Sequence, residues 1–187
     1  MRFALILGVI GKILRIYSMA FIPPLALAAF NAYFGHTPDY SAVTPFAVAA
    51  GATLLCGHLL NLASEKDRNF RRSEALGVVA GTWLVLAVFT AIPYVMFGMS
   101  NLDAFFESMS DLTATGATVL TDWHQTQSFF LWRSMSQWFG GLGVIALFVV
   151  ILPQLGVAGR QIMFAESSDA TTDVVSPSVH KSARNLW

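Results

Sequence analysis

The sequence predicts an all-α integral membrane protein: an N-terminal two-helix hairpin, then a helix–loop–helix unit with a short helix in its loop. Three observations predict it. The chain is unusually apolar and poor in charge. Its apolar residues fall into four uncharged runs of membrane-crossing length. Between the third and fourth runs lies a segment that is neither a plain turn nor a crossing.

Residues of the AVILMFWYC set make up 55% of the 187 residues, and charged residues only 12%. Mean hydropathy is +0.60. Soluble domains carry roughly twice that charged fraction. Formal net charge is zero, which excludes the basic field that attracts nucleic acid. Cys56 is the single cysteine, so there is no internal disulfide, CxxC pair or Cys/His metal pattern. No cofactor is expected. Arg2 before an apolar stretch imitates a signal peptide, but Lys12 and Arg15 interrupt the stretch. Residues 1–15 are expected to be a short cytoplasmic lead.

A helix rises about 1.5 Å per residue, so about 20 apolar residues cross a hydrocarbon core of about 30 Å. The runs 16–34, 44–63, 75–98 and 134–154 meet that length. Pro23 and Pro24 should kink the first. Pro93 lies near the outer end of the third, and Pro153 near the inner end of the fourth. Residues 36–40 read as a polar turn, 65–72 as a charged loop, and 156–180 as a polar stretch leaving the membrane.

Basic residues orient the chain. Arg2, Lys12 and Arg15 precede the first helix, Lys66, Arg68, Arg71 and Arg72 join the second to the third, and Arg160, Lys181 and Arg184 follow the fourth. These groups share the cytoplasmic side. Asp39, Asp103, Glu107, Asp111 and Asp122 then lie outside. Arg133 is the one basic residue away from the cytoplasmic groups. Two readings of it stand, a pair with an outer carboxylate or snorkelling alone, and an interfacial role is the favoured one. Trp132 and Trp138 suit an interfacial belt.

Within 100–127, apolar residues at 102, 105, 106, 109 and 112 define a helical face. Ser100 with Asp103 resembles a capping box. A helix over 101–112 is too short to span and fits a re-entrant element. Thr113–Val119 follows directly, with Gly116 free to adopt backbone angles that other residues resist. An extended stretch of small residues can turn its carbonyls to one side, and a dehydrated cation needs such oxygens in place of water. The short helix aims its C-terminal dipole end at the same place. An ordinary Thr/Gly-rich turn has the same composition, but the whole order matches a channel-type pore unit. Gly140, Gly141 and Gly143 permit close helix packing.

Phe106–Val119 resembles the first selectivity-filter segment of the Trk/Ktr/HKT potassium transporters. Trp132–Ser134, Gly140–Gly143, Leu152 with Pro153, and Ala165 with Glu166 continue the resemblance in order. It is strongest to the TrkH-type membrane subunit of bacteria and covers about 75–187. The hairpin fits the extra helix pair that such subunits carry before their pore repeats. The resemblance implies a potassium-channel-like pore of four helix–pore-loop–helix repeats. Residues 1–72 would hold the N-terminal pair, with helices at about 16–34 and 44–63. Residues 73–158 would form the first repeat: helix 75–98, pore helix 101–112, filter 113–119 and helix 128–155. Residues 159–187 would lead into a second repeat beyond this sequence, making the chain the N-terminal part of a longer transporter.

The resemblance further implies that carbonyls of Thr113, Ala114, Thr115 and Gly116 contact potassium, with K+ sites at Ala114 and Thr115. Ala114 stands where the family has Thr, and Asp111 where it has Gly. Asp103, Glu107, Asp111 and Asp122 would concentrate cations at the pore mouth. Each alone could be a solvated loop charge; Glu107, inside the short helix, is the exception. Implied partners are membrane lipid, three further repeats, a second copy in a homodimer and a cytoplasmic TrkA-like nucleotide-binding subunit. The implied location is the bacterial inner membrane, multi-pass, with a cytoplasmic N-terminus.

A membrane anchor, an inactive fragment or an intramembrane enzyme are the alternatives. An anchor does not explain the Thr/Gly loop. His36, His58, His124 and His180 are scattered without a partner at fixed spacing, so no enzyme is expected.

Overall fold

A computed structural model describes residues 3–34, 40–62 and 72–145. The expectations at 36–39, at 65–71 and beyond 145, including Pro153, lie outside them, while Tyr40 opens a 3₁₀ turn, Tyr40–Ala42, and Arg72 is already helical. Two compact units are delimited, 1–140 and 141–187. The first holds every described residue up to Gly140; the second begins inside the last described helix.

The protein is an all-α integral membrane protein, and six α-helices lie among the described residues. They are α1 (Phe3–Tyr17), α2 (Ile22–Phe34), α3 (Val43–Leu62), α4 (Arg72–Met96), α5 (Asn101–Leu112) and α6 (127–145). The segments Ala4–Phe34, Tyr40–Leu62 and Gly77–Met96 are long and apolar enough to cross a membrane.

The first element is longer than the sequence implied. Residues 1–15 were expected as a lead, yet helix begins at Phe3. Lys12 and Arg15 break the uncharged run but not the helical face, because both are exposed. Ile6, Ile10 and Leu14, four residues apart, form the buried stripe. They pack on Cys56 and Leu60 of α3 and on Val78, Val85, Leu86 and Phe89 of α4. Backbones of α1 and α3 touch: a Cβ added at Gly11 would lie 2.9 Å from the Gly57 carbonyl oxygen. Small residues allow this approach, which supplies packing energy that lipid cannot.

A 3₁₀ turn, Ser18–Phe21, separates α1 from α2. Pro23 and Pro24 lack N–H groups, so the carbonyls of Met19 and Ala20 lose their usual i+4 donors. The Ile22 N–H bonds the Met19 carbonyl instead, which tightens the chain to three residues per turn. The expected kink therefore appears as a short change of helix type just before the prolines.

The main core joins Phe21, Phe46, Tyr94, Phe129 and Trp132 with alanines of α2, α3, α4 and α5. Trp132, expected at the interface, is fully buried. It stacks on Phe21 with ring centroids 4.3 Å apart. Its indole N–H donates to the Thr90 carbonyl at 3.2 Å. Tyr17 and Thr90 hydroxyls share a hydrogen bond of 2.7 Å beside it. Burial is possible because the one polar atom of the indole has a partner. Trp138 stays exposed.

Two helix ends position the next element. α4 closes with Gly98 at φ +99°, the Met99 N–H on the Tyr94 carbonyl and the Gly98 N–H on the Val95 carbonyl. This is a Schellman cap, which needs a left-handed residue. Ser100 then caps α5 by accepting from the Asp103 N–H, and donates its hydroxyl to the Asp103 carboxylate at 2.7 Å. The chain reverses within a few residues as a result.

Candidate functional site

α5 has 12 residues, about 18 Å of helix, which is little more than half of a bilayer core. Its buried side coincides with the apolar stripe only in part: Leu112 is buried and Phe105 and Met109 are half-buried. Leu102 and Phe106 are exposed, whereas Ala104, Glu107, Ser108 and Asp111 face inward. Such partial inversion suits a helix whose surroundings are apolar and whose polar groups must find partners inside. Ser108 donates to the Ala87 carbonyl of α4 at 2.9 Å.

α5 ends as α4 does. The Thr115 N–H bonds the Ser110 carbonyl and the Ala114 N–H bonds that of Asp111. The left-handed residue is Ala114, at φ +55°, where a side chain costs about 1–2 kcal/mol relative to right-handed backbone. Gly116 follows at φ +75°. Two left-handed residues in three turn the exposed stretch 113–119 away from helix without making it a regular strand.

The stretch is tied down at its far end. Ser110 donates to the Ala117 carbonyl at 2.6 Å. The Thr118 hydroxyl donates to Glu107 at 2.9 Å and the Val119 N–H at 3.1 Å. Arg133 Nε reaches Glu107 Oε1 at 2.7 Å. Among the described residues, no hydrogen bond is donated to the carbonyls of Thr113, Ala114, Thr115 or Gly116. The side-chain hydroxyls of Thr113 and Thr115 bond each other at 2.8 Å.

The predicted acids separate into two kinds. Glu107 and Asp111, expected at a pore mouth, are fully buried. Glu107 binds α5, the loop and α6 together, and so Arg133 is paired rather than merely snorkelling. Asp111 accepts from the Tyr94 hydroxyl at 2.5 Å, and its Oδ1 has no partner among the described residues. Asp103 and Asp122 are exposed and line one hollow of about 290 Å³ with Ser100, Thr121 and Gln125. Asp122 accepts from the His124 N–H at 2.9 Å.

Gly140 sets how closely α6 passes the end of α5. An added Cβ would collide with the Leu112 carbonyl oxygen and lie 2.6 Å from that of Asp111. Gly141 and Gly143 fall in the second unit. At Gly116 the nearest atom to an added Cβ is Gln137 Nε2 at 3.5 Å, so backbone angle rather than space demands glycine there. Sequence reasoning missed Trp132 as a core residue and the Glu107–Arg133 pair.

The fold and this site define a multi-pass helical membrane protein with a half-length helix braced inside it. The model of a family described as TrkH, cation transport protein, matches residues 45–187. The chain belongs to that family. It is 32% identical to the Trk system potassium uptake protein TrkH of Halomonas elongata over 193 residues, covering 100% of this chain and 39% of that protein. It is 34% identical to the TrkH of Escherichia coli K12, covering 100% and 38%. The crystal structure of the potassium transporter TrkH from Vibrio parahaemolyticus superposes with a TM-score of 0.76 at 28% identity, covering 100% of this chain and 36% of that one. The chain thus spans under two fifths of the relatives it matches.

Proposed function

We propose that this chain supplies one quarter of the potassium-selective filter of a Trk-type uptake subunit. The observation that carries the proposal is the set of four carbonyls, Thr113 to Gly116, left without hydrogen-bond donors among the described residues, just beyond the C-terminal end of α5. Carbonyl oxygens in that state replace the hydration shell of a potassium ion. The helix dipole adds negative potential at the same end, and Asp111 in the last turn adds a carboxyl group. K+ would sit at Ala114 and Thr115.

In this reading residues 1–72 hold the N-terminal helix pair, 73–158 the first pore repeat and 159–187 a link to a second. The Glu107 network fixes the far end of the filter, so that the carbonyls need not reorganise when an ion enters. Asp103 and Asp122 remain to attract cations at the outer hollow. The relatives' names as potassium uptake proteins support the ion assignment. The complete subunit would sit in the bacterial inner membrane with its N-terminus in the cytoplasm. It would dimerise and bind a TrkA-like nucleotide-sensing partner.

The test is Gly116→Ala. Its added methyl has room, so the strain is the left-handed backbone, about 1–2 kcal/mol. Rubidium uptake by cells relying on this protein should fall about tenfold, and discrimination against sodium should weaken. Ala114→Gly should keep both. Parental uptake and selectivity in Gly116→Ala would refute the filter assignment.

A further inference from the structure

A groove of about 410 Å³ runs along the junction of α1 and α2, closed on one side by α6. Ile13, Ile16, Met19 and Pro23 line it from the first element, Met135 and Phe139 from α6. We propose that it holds one acyl chain of an anionic phospholipid, whose headgroup sits at Lys12.

Three observations on the groove agree. The first is depth. A Cβ added at Gly11 would meet Leu60 and Asn61, beside the end of the apolar span that closes at Leu62, so the adjoining Lys12 stands at the headgroup boundary. The second is length. Residues 13 to 23 cover about 15 Å, one leaflet of hydrocarbon. The third is the chemistry of the lining. The closest backbone approaches in this fold are made at small residues, Gly11 with Gly57 and Gly140 with the end of α5. The groove instead presents large aliphatic and aromatic side chains, with Ile16 and Met19 strongly exposed. Large flexible side chains suit a lipid tail better than a close-packed helix.

Lys12 supplies the polar end. It lies four residues before Ile16, on the same face one turn nearer the N-terminus. Its side chain is exposed and leans toward that end, away from the core. Arg15 is exposed on the neighbouring face. A basic residue near the membrane surface favours an anionic lipid by about fivefold. The proposal rests on the orientation given above only for which leaflet supplies the lipid.

The experiment reconstitutes the purified protein in phosphatidylcholine nanodiscs containing a phosphatidylglycerol with a photoreactive diazirine in its acyl chain. Adducts are mapped by mass spectrometry. They should concentrate at 13–23 and 135–139. Unlabelled phosphatidylglycerol should displace the probe at about one fifth the concentration of phosphatidylcholine, and Lys12→Gln should erase that preference. Ile13→Trp, which fills the groove, should remove the adducts while the melting temperature stays near the parent's. Absence of adducts in these segments means that another part of the assembly covers the groove, and it overturns the proposal. Equal displacement by both lipids, or an unchanged preference in Lys12→Gln, overturns it too. Ion transport enters none of these readouts, so failure of the filter assignment is seen separately.

Discussion

Replacing Glu107 by Gln should destabilise the protein by about 2–3 kcal/mol and loosen the loop at once. The carboxylate is fully buried and receives Arg133, the Thr118 hydroxyl and the Val119 N–H. Removing one partner of a buried ion pair costs about 3–5 kcal/mol, chiefly from the charge left behind. Arg133 keeps 17% of its side-chain surface exposed, so water offsets part of that penalty. Gln also retains one oxygen to accept from the loop, which lowers the loss further. Arg133→Met in the Glu107→Gln background should recover part of the loss, because the stranded cation is gone. A double-mutant cycle read by equilibrium unfolding in detergent should give a coupling of about 1–2 kcal/mol between the two sites. Rubidium uptake should fall in Glu107→Gln even where the protein is still folded. Strictly additive single effects, or a loss under about 0.5 kcal/mol with normal uptake, would refute the claim that this pair braces the loop.

Gly140→Ala should cost about 1–3 kcal/mol and reduce uptake, since the atoms it meets are backbone and cannot swing aside. Gly51→Ala is the control on a neighbouring helix; nothing lies within 4 Å of its added Cβ, and thermal unfolding should be unchanged or slightly later. Trp132→Phe should lose about 1–2 kcal/mol with the indole hydrogen bond and ring volume, while Trp138→Phe should stay within about 0.5 kcal/mol by the same unfolding assay.

The helices were legible because a bilayer demands long uncharged runs, and the runs at 44–63 and 75–98 lie close to α3 and α4. The start of α1 was not, because a run-length reading stops at Arg15, whereas a helix needs only one clean face. The stripe at Ile6, Ile10 and Leu14 was visible at a spacing of four and was the signal to follow. The half-length α5 was legible from its cap and period. Which of its faces is buried was legible only in part: an apolar stripe marks the inside in water, but in lipid part of it turns outside. Ala104, Glu107, Ser108 and Asp111 recur at helical spacing, and such a small, polar stripe is the better guide in a membrane. The partner of Glu107 lies 26 positions away, so no local spacing could name it. Arg133, the one basic residue away from the cytoplasmic groups, still calls for a carboxylate on energetic grounds, but Asp103, Asp111 and Asp122 compete with Glu107 as its partner in the sequence.

The stacking of Phe21 on Trp132 joins residues made far apart in time. At a synthesis rate of about 5–20 residues per second, Phe21 precedes its partner by about 5–20 seconds. During that interval the α1–α3 hairpin stands in lipid with an empty aromatic seat. In water such a seat would invite aggregation, but hydrocarbon tails can fill it at little cost, so the N-terminal pair can be inserted first and wait. Because Trp132 and Arg133 are consecutive, docking of α6 that seats Trp132 on Thr90 also brings Arg133 to Glu107. Completion of the hairpin core and bracing of the loop are thereby one event in the assembly of the chain.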